Sequence, residues 1–367
     1  MPKGIVHTHL FRTKFCEALS AMGVGFDADR GDSALLSTPM YSNTTMCTFL
    51  PALYTGCRVI IQSKFGETQW VDLVARHSAS HAMLVPAQYE RLLRYLRASG
   101  RGGPEGDLRS LRLKMSTSAP LRLGVKRGVL EQFPGQMFEI YGLTEGGTST
   151  TLALHDCVGP LAGKLASVGL PGLSCELTVI DAETLKEVPR GETGEIVGRS
   201  ELMMRGYNNQ EQKTRDSLWW DADGRLFFRS GDVGHIDPEG YVWLSDRIKD
   251  MIISGGLNIY ATDLELVALQ CKEVREVAVI AVPSSRFGES PLALVVQEDG
   301  PGGDAAEVEA RILAFCNSRL GKAQRLVGVA LVGELPKSPI GKVLKRDLRQ
   351  QWKAWPARPK EGLRSKL

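Results

Sequence analysis

The chain has 367 residues, 43% of them hydrophobic and 24% charged, with Lys+Arg 45 against Asp+Glu 42 and a formal net charge of +3. That length predicts two or more compact units with real cores, the small charge excess argues against nucleic acid as a partner, and the ordinary apolar content excludes a disordered or fibrous chain. Apolar runs such as 277–283 fall far short of the roughly 18–20 residues of a membrane span, which excludes a transmembrane helix and leaves peripheral membrane contact open.

The chain opens Met1-Pro2-Lys3-Gly4-Ile5-Val6-His7, with no signal peptide, and reads as though it starts inside a loop. From residue 82 onward strand and helix patterns alternate. Residues 82–85 are a short apolar run stopped by Pro86, and Tyr89, Leu92, Leu93 and Leu96 then recur at helical spacing. A turn-rich break at 99–106 precedes a strand at 111–116. Pro120 is expected to open a helix towards Phe133, since its missing N–H costs least at a helix start. The next strand is 137–141. This alternation predicts an α/β unit with a parallel sheet covered by helices.

Beyond Ser167 the strand candidates 175–181, 195–198 and 227–229 are short and separated by Gly, Pro and Asp, which predicts a small antiparallel β subdomain. A third pattern begins after Asp246-Arg247-Ile248-Lys249. It comprises a strand at 251–253, a helix from the capping-box spacing Thr262-Asp263-Leu264-Glu265, and a strand at 277–282. Then come a helix with Val308, Ile312, Cys316 and Leu320 on one face, which Gly321 can end, a strand at 327–332 and a helix at 345–352. The expected divisions are the remainder of a large α/β domain at 1–166, a β-rich subdomain at 167–246 and a hinge at 247–249. A mobile C-terminal α+β domain at 250–352 and a basic tail at 353–367 complete the chain. In that tail Lys353, Arg358, Lys360, Arg364 and Lys366 face one Glu361.

Seven scattered cysteines without a CxxC read as thiols of a reducing, cytoplasmic compartment. His7-Thr8-His9 and His77…His81 lack companion ligands for a metal site. Four segments carry potential chemistry. In Phe138-Glu139-Ile140-Tyr141-Gly142-Leu143-Thr144-Glu145 a strand ends in an aromatic, a hydroxyl and a carboxylate, at the end where α/β sheets bind ligands. An aromatic there can stack on a base, a hydroxyl can hold a phosphate oxygen, and a carboxylate can hold Mg2+. In Ser230-Gly231-Asp232…Asp237-Pro238-Glu239-Gly240 the turns need no function, yet a carboxylate there can bridge ribose hydroxyls. Asp246-Arg247-Ile248-Lys249-Asp250, with Gly255-Gly256 just beyond it, reads as a salt-bridged linker or a hinge. Pro339-Ile340-Gly341-Lys342 puts a lysine, a point charge suited to an oxyanion, on a stiffened loop.

In this order and spacing the four segments resemble the adenylate-forming superfamily of acyl-CoA synthetases, aryl-CoA ligases, beetle luciferases and peptide-synthetase adenylation domains. Tyr141-Gly142-Leu143-Thr144-Glu145 is similar to its YGxTE motif, and Asp246–Asp250 and the Lys342 loop to its hinge and catalytic-lysine loop. Ser116-Thr117-Ser118-Ala119-Pro120-Leu121 is similar to its adenine-pocket turn, and Met1-Pro2-Lys3-Gly4 to the end of its phosphate loop. The resemblance implies two steps. A fatty or aryl carboxylate attacks the α-phosphate of ATP to give an acyl-adenylate, and the thiol of CoA then displaces AMP. It implies that Tyr141, Gly142, Ser118, Ala119 and Pro120 line the adenine site, and that Thr144 touches phosphates and Glu145 holds Mg2+. Asp232 would hold the ribose with Arg247 nearby, and Lys342 would bridge carboxylate and α-phosphate. Lys249 would be the hinge residue, and domain rotation would withdraw Lys342 and bring Gly255 and Gly256 towards pantetheine.

Three departures stand out. The Ser/Thr/Gly-rich part of the phosphate loop and the region before it do not precede Met1, so adenylation by this chain is expected to be impaired; a non-catalytic nucleotide- or CoA-binding fragment is the alternative. Ser42 stands where many members carry a histidine or aromatic, and Ala261 where a proline is frequent.

Overall fold

The computed structural model describes residues 4–19, 25–172, 174–298, 304–338 and 341–355. Met1-Pro2-Lys3, Pro339-Ile340 and the tail residues Arg358, Lys360, Glu361, Arg364 and Lys366 lie outside them. The chain falls into two compact units, Met1–Ser230 with Gly234–Leu244, and Gly231–Val233 with Ser245–Leu367.

The first unit is built on a seven-stranded sheet. Its spatial order is Arg58–Ile61, Ser33–Leu36, His81–Leu84, Leu113–Ser116, Gln136–Gly142, Ser149–Ala153 and Leu170–Pro171. The first five strands are parallel and the last two antiparallel. Parallel strands need crossover helices, and those helices hide both faces of the sheet; this is why Ser33–Leu36, His81–Leu84 and Leu113–Ser116 are buried at every position. One face packs against Glu67–His77, Pro86–Ser99 and Leu123–Gln132. At its centre Trp70 and Tyr89, both 0% exposed, set their edges against Phe133 at 6.4 and 5.8 Å between ring centroids. Asn43–Tyr54 packs on the other face, where the Ser42 hydroxyl accepts from Thr44 N–H at 3.2 Å and caps the helix start.

Several expectations hold with shifted ends. Pro86–Ser99 starts on its proline, Gln88 accepts the Val85 N–H at 3.1 Å, and Tyr89, Leu92, Leu93 and Leu96 are its buried stripe. The helix expected from Pro120 begins three residues later, at Leu123, because residues 117–120 are spent on a turn in which Ser118 has φ 81°. The strands Ser33–Leu36 and Arg58–Ile61, lying before residue 82, carry no alternation that marks them. A smaller antiparallel sheet joins Cys175–Ile180, Gly194–Ser200, Leu226–Ile236, Leu218–Trp220 and Val242–Arg247. Ile5–Val6 pairs with Gly206–Tyr207.

The second unit centres on the hairpin Val274–Ser284 with Gly288–Gln297, to which Gly328–Leu331 adds in parallel and Ile252–Ser254 with Leu257–Ile259 add antiparallel. Ala261–Ala268 and Ala305–Asn317 cover one face, and Lys345–Gln351 with Trp352 the other. The capping box at Thr262 does not form. The helix starts at Ala261, Thr262 N–H goes to Asp246 Oδ2 at 3.2 Å, and Glu265 turns away to accept Val279 N–H and to pair with Lys345. Tertiary partners for Thr262 and Glu265 outcompete the local box. Among the described residues no helix is long and apolar enough to cross a membrane.

Trp70→Ala removes the largest fully buried side chain of the first unit. It should cost about 3–5 kcal/mol of that unit's stability. Urea unfolding followed by circular dichroism checks this, and a loss below about 1 kcal/mol would contradict the assigned core.

Candidate active site

In the first unit, the site residues cluster because two neighbouring parallel strands end together. Leu113–Ser116 pairs with Gln136–Gly142, Ser116 opposite Glu139. The turn carrying Ser118, Ala119 and Pro120 therefore lies beside Tyr141 and Gly142, beyond the carboxyl ends of the strands. Ser118 Oγ and Thr44 Oγ1 share a 2.5 Å hydrogen bond, which ties the turn to the first turn of Asn43–Tyr54. Beyond Gly142 the chain reverses through Leu143-Thr144-Glu145-Gly146-Gly147-Thr148 into Ser149–Ala153, with Gly142 opposite Ser149.

That reversal is tightly held. Gly146 has φ 81°, and a Cβ there would collide with the Leu202 carbonyl oxygen, so no larger residue fits. Met204 N–H donates to the Glu145 carbonyl at 2.8 Å, and Ser200 Oγ donates to Gly146 O at 2.6 Å. Glu145 is 9% exposed and accepts the Tyr207 hydroxyl at 2.7 Å. Burial, and then the Glu145 carboxylate, push the Tyr207 pKa up, so Tyr207 stays a donor. His7 Nε2 donates to Thr144 O at 2.6 Å while its ring stacks on Phe11 at 3.9 Å. Burial holds the His7 pKa below its ordinary value, although the Thr144 bond opposes this.

His7 and Tyr207 are the residues that sequence reasoning missed. In the sequence His7 stands only in the pair His7-Thr8-His9, which lacks companion ligands, and nothing local marks Tyr207. They reach the Thr144-Glu145 reversal because Ile5 pairs with Tyr207 from far away in the chain, a contact with no local signature. Among the described residues no group of three or more His, Cys, Asp or Glu is placed to hold a metal ion. The Glu145 carboxylate at the reversal, with the Thr144 hydroxyl beside it in the chain, fits a Mg2+ held mainly by phosphates and water.

The second unit gathers Asp232, Arg247, Lys249 and Lys342. Asp232 is 4% exposed and meets Arg247 Nε at 2.8 Å. Lys249 sits in the single turn Ile248–Asp250, which Arg349 anchors through Asp250 at 2.8 Å. Lys342 N–H donates to Ser338 Oγ at 3.1 Å and its carbonyl accepts Ser338 N–H at 2.8 Å, closing the loop that carries it. Burial, then the charges of Arg247 and Lys249, push the Lys342 amine down to about 8 against the opposing pull of Asp232 and Asp250. Gly255 (φ 59°) and Gly256 (φ 81°) form the two-residue turn between Ile252–Ser254 and Leu257–Ile259, a geometry that demands positive φ at both positions.

The profile of AMP-binding enzymes matches residues 1–208, and that of the AMP-binding enzyme C-terminal domain matches 263–342. The chain belongs to the AMP-binding enzyme family. It is 31% identical to the long-chain-fatty-acid–CoA ligase FadD13 of Mycobacterium tuberculosis over 96% of this chain and 65% of that protein. It is 28% identical to 4-coumarate–CoA ligase 3 of Oryza sativa subsp. japonica over 95% of this chain and 61% of that protein. Among solved structures it resembles ATP-bound MatB from Rhodopseudomonas palustris, with a TM-score of 0.81, 31% identity, and coverage of 96% of this chain and 66% of that one. It also resembles the o-succinylbenzoate CoA synthetase MenE of Bacillus subtilis in complex with the acyl-adenylate OSB-AMP, with a TM-score of 0.78, 26% identity, and coverage of 95% and 66%. The chain therefore spans less than two thirds of the length of these relatives.

The folded Lys342 pKa of about 8 lies below its ordinary 10.5. The cost of holding this charge in the fold is present below about pH 8 and is relieved as pH rises from there to 10.5, because the unfolded chain then binds the extra proton. Competitive amine labelling of Lys342 should show half-reaction near pH 8, and Arg247→Met should move it upward. An unmoved midpoint would contradict the assigned charge cluster.

Proposed function

We propose that this family member carries the machinery of an ATP-dependent, AMP-forming acid–CoA ligase acting on a fatty or aryl carboxylic acid in the cytoplasm. The observation that carries the reading is the meeting of the Ser118-Ala119-Pro120 turn with Tyr141 and the Thr144-Glu145 reversal at the ends of adjacent parallel strands. Tyr141, Gly142, Ser118, Ala119 and Pro120 flank the adenine. Thr144 contacts the phosphates and Glu145 holds Mg2+, which when bound supplies charge neutralisation to them. Tyr207 and His7 keep this reversal in place, one through the Glu145 carboxylate and one through the Thr144 carbonyl.

In the second unit Asp232 accepts the ribose hydroxyls, with Arg247 fixing its carboxylate. Lys342, as an ammonium, neutralises charge that develops between the attacking carboxylate and the α-phosphate. Such transfer is mostly positioning and electrostatics, so no covalent nucleophile is needed. Attack breaks the bond from the α-phosphorus to the bridging oxygen and releases pyrophosphate. The CoA thiol then loses its proton to solvent, its sulfur bonds to the acyl carbon, and the bond from that carbon to the adenylate oxygen breaks, releasing AMP. Lys249 serves as the hinge residue between the two steps, and Gly255-Gly256 approaches the pantetheine arm.

A second reading is a polypeptide that binds nucleotide or CoA without completing adenylation. Binding of AMP by calorimetry without acid-dependent ATP–pyrophosphate exchange would favour it. Under the ligase reading, Lys342→Ala should lower acyl-adenylate formation by about a hundredfold or more, while thioester formation from supplied acyl-adenylate changes far less. Rapid-quench measurement of the two half-reactions checks this, and equal loss in both contradicts the role given to Lys342.

A further inference from the structure

Two buried charges in the first unit lie outside every residue given a role above. Glu139 is 4% exposed and Lys126 2%. Glu139 Oε2 meets Lys126 Nζ at 2.5 Å, and Glu139 Oε1 accepts the Leu121 backbone N–H at 3.2 Å. The same ammonium donates to the carbonyl oxygens of Leu165 at 2.7 Å and Ser167 at 2.9 Å. Burial raises the Glu139 pKa, while the Lys126 ammonium opposes that rise. Well-packed apolar side chains would fill this space at least as stably, so packing alone does not account for an ion pair here.

What the pair does is join segments. Lys126 comes from Leu123–Gln132, Glu139 from Gln136–Gly142, and Leu121 from the turn just beyond Leu113–Ser116. That turn holds Ser118 at φ 81°, a strained conformation that persists only when its surroundings over-determine it. On one side Thr44 Oγ1 holds Ser118 Oγ; on the other Glu139 holds Leu121 N–H, three residues further on. Glu139 also lies two residues before Tyr141 on one strand, so both side chains leave the same face of the sheet.

We infer that buried Glu139, seated beside Lys126, is a positioning residue for adenine recognition, its carboxyl oxygen clamping the Ser118-Ala119-Pro120 turn at a fixed separation from the ring of Tyr141 through the Leu121 N–H. Neither side chain touches the nucleotide. The inference rests on the nucleotide reading proposed above. It predicts that affinity for AMP follows the acceptor offered to Leu121 rather than the charge of the pair.

Two charge-free double variants of the whole chain separate these effects. K126M/E139Q keeps a carbonyl able to accept Leu121 N–H, whereas K126M/E139L keeps none. With AMP titrated by calorimetry, the glutamine variant should bind within about threefold of the parent and the leucine variant about tenfold or more weaker, the fold-change of one lost hydrogen bond. Thermal melting without nucleotide should be lower for the leucine variant, which leaves the buried Leu121 N–H unpaired, so AMP affinity is compared at a temperature where both are folded. Equal AMP affinities in two folded variants overturn the clamp. A parent chain that does not bind AMP overturns the nucleotide reading itself, and the clamp with it. Should neither variant fold, hydrogen exchange of the Leu121 amide in the parent decides. Exchange as slow as that of the amides in Gln136–Gly142 is expected, and exchange as fast as an exposed turn refutes the clamp.

Discussion

The ladder between Leu113–Ser116 and Gln136–Gly142 is the constraint on which the first unit's site depends. Parallel pairing brings the carboxyl ends of both strands to one edge, and the loops leaving those ends must share that edge. One of these loops is a strained serine turn, the other a glycine-dependent reversal bearing a hydroxyl and a carboxylate. Neither loop owes its shape to its own sequence alone. The serine turn leans on Thr44 and Glu139, and the reversal leans on Ser200, Met204, Tyr207 and His7. A site on loops thereby gains the rigidity of the elements beneath it.

The second unit obeys a different logic. Its charged residues are close enough to alter one another. Asp232 is engaged by Arg247, and the Lys342 amine feels two cations and two carboxylates at once. A lysine held near pH 8 keeps its ammonium at neutral pH, yet with less hold on its proton than an exposed lysine has. That balance is compatible with the role proposed for Lys342, and perturbed amines of this kind cluster at functional sites.

Most of the alternation from residue 82 onward was legible because amphipathic helices and apolar strands have different periods. The failures have specific causes. Ser33–Leu36 and Arg58–Ile61 are four residues each, and Ser33–Leu36 is buried on both faces, so no alternation marks it. The helix after Pro120 starts late because its first residues serve the serine turn. The box at Thr262 loses to Asp246, Val279 and Lys345, all distant in sequence.

The sequence by itself determined the family pattern and the chemical types at the site, because aromatic, hydroxyl, carboxylate and ammonium groups are written directly in the motifs. It also determined which runs could form strands and helices, since periodicity is a local property. Only the tertiary structure decided what supports those groups. The Tyr207 bond to Glu145, the His7 bond to Thr144 and the Lys126–Glu139 pair all join residues whose separation in the chain exceeds any local pattern. Such contacts exist because strand pairing and helix packing bring distant backbone together and then leave buried polar groups that must find partners.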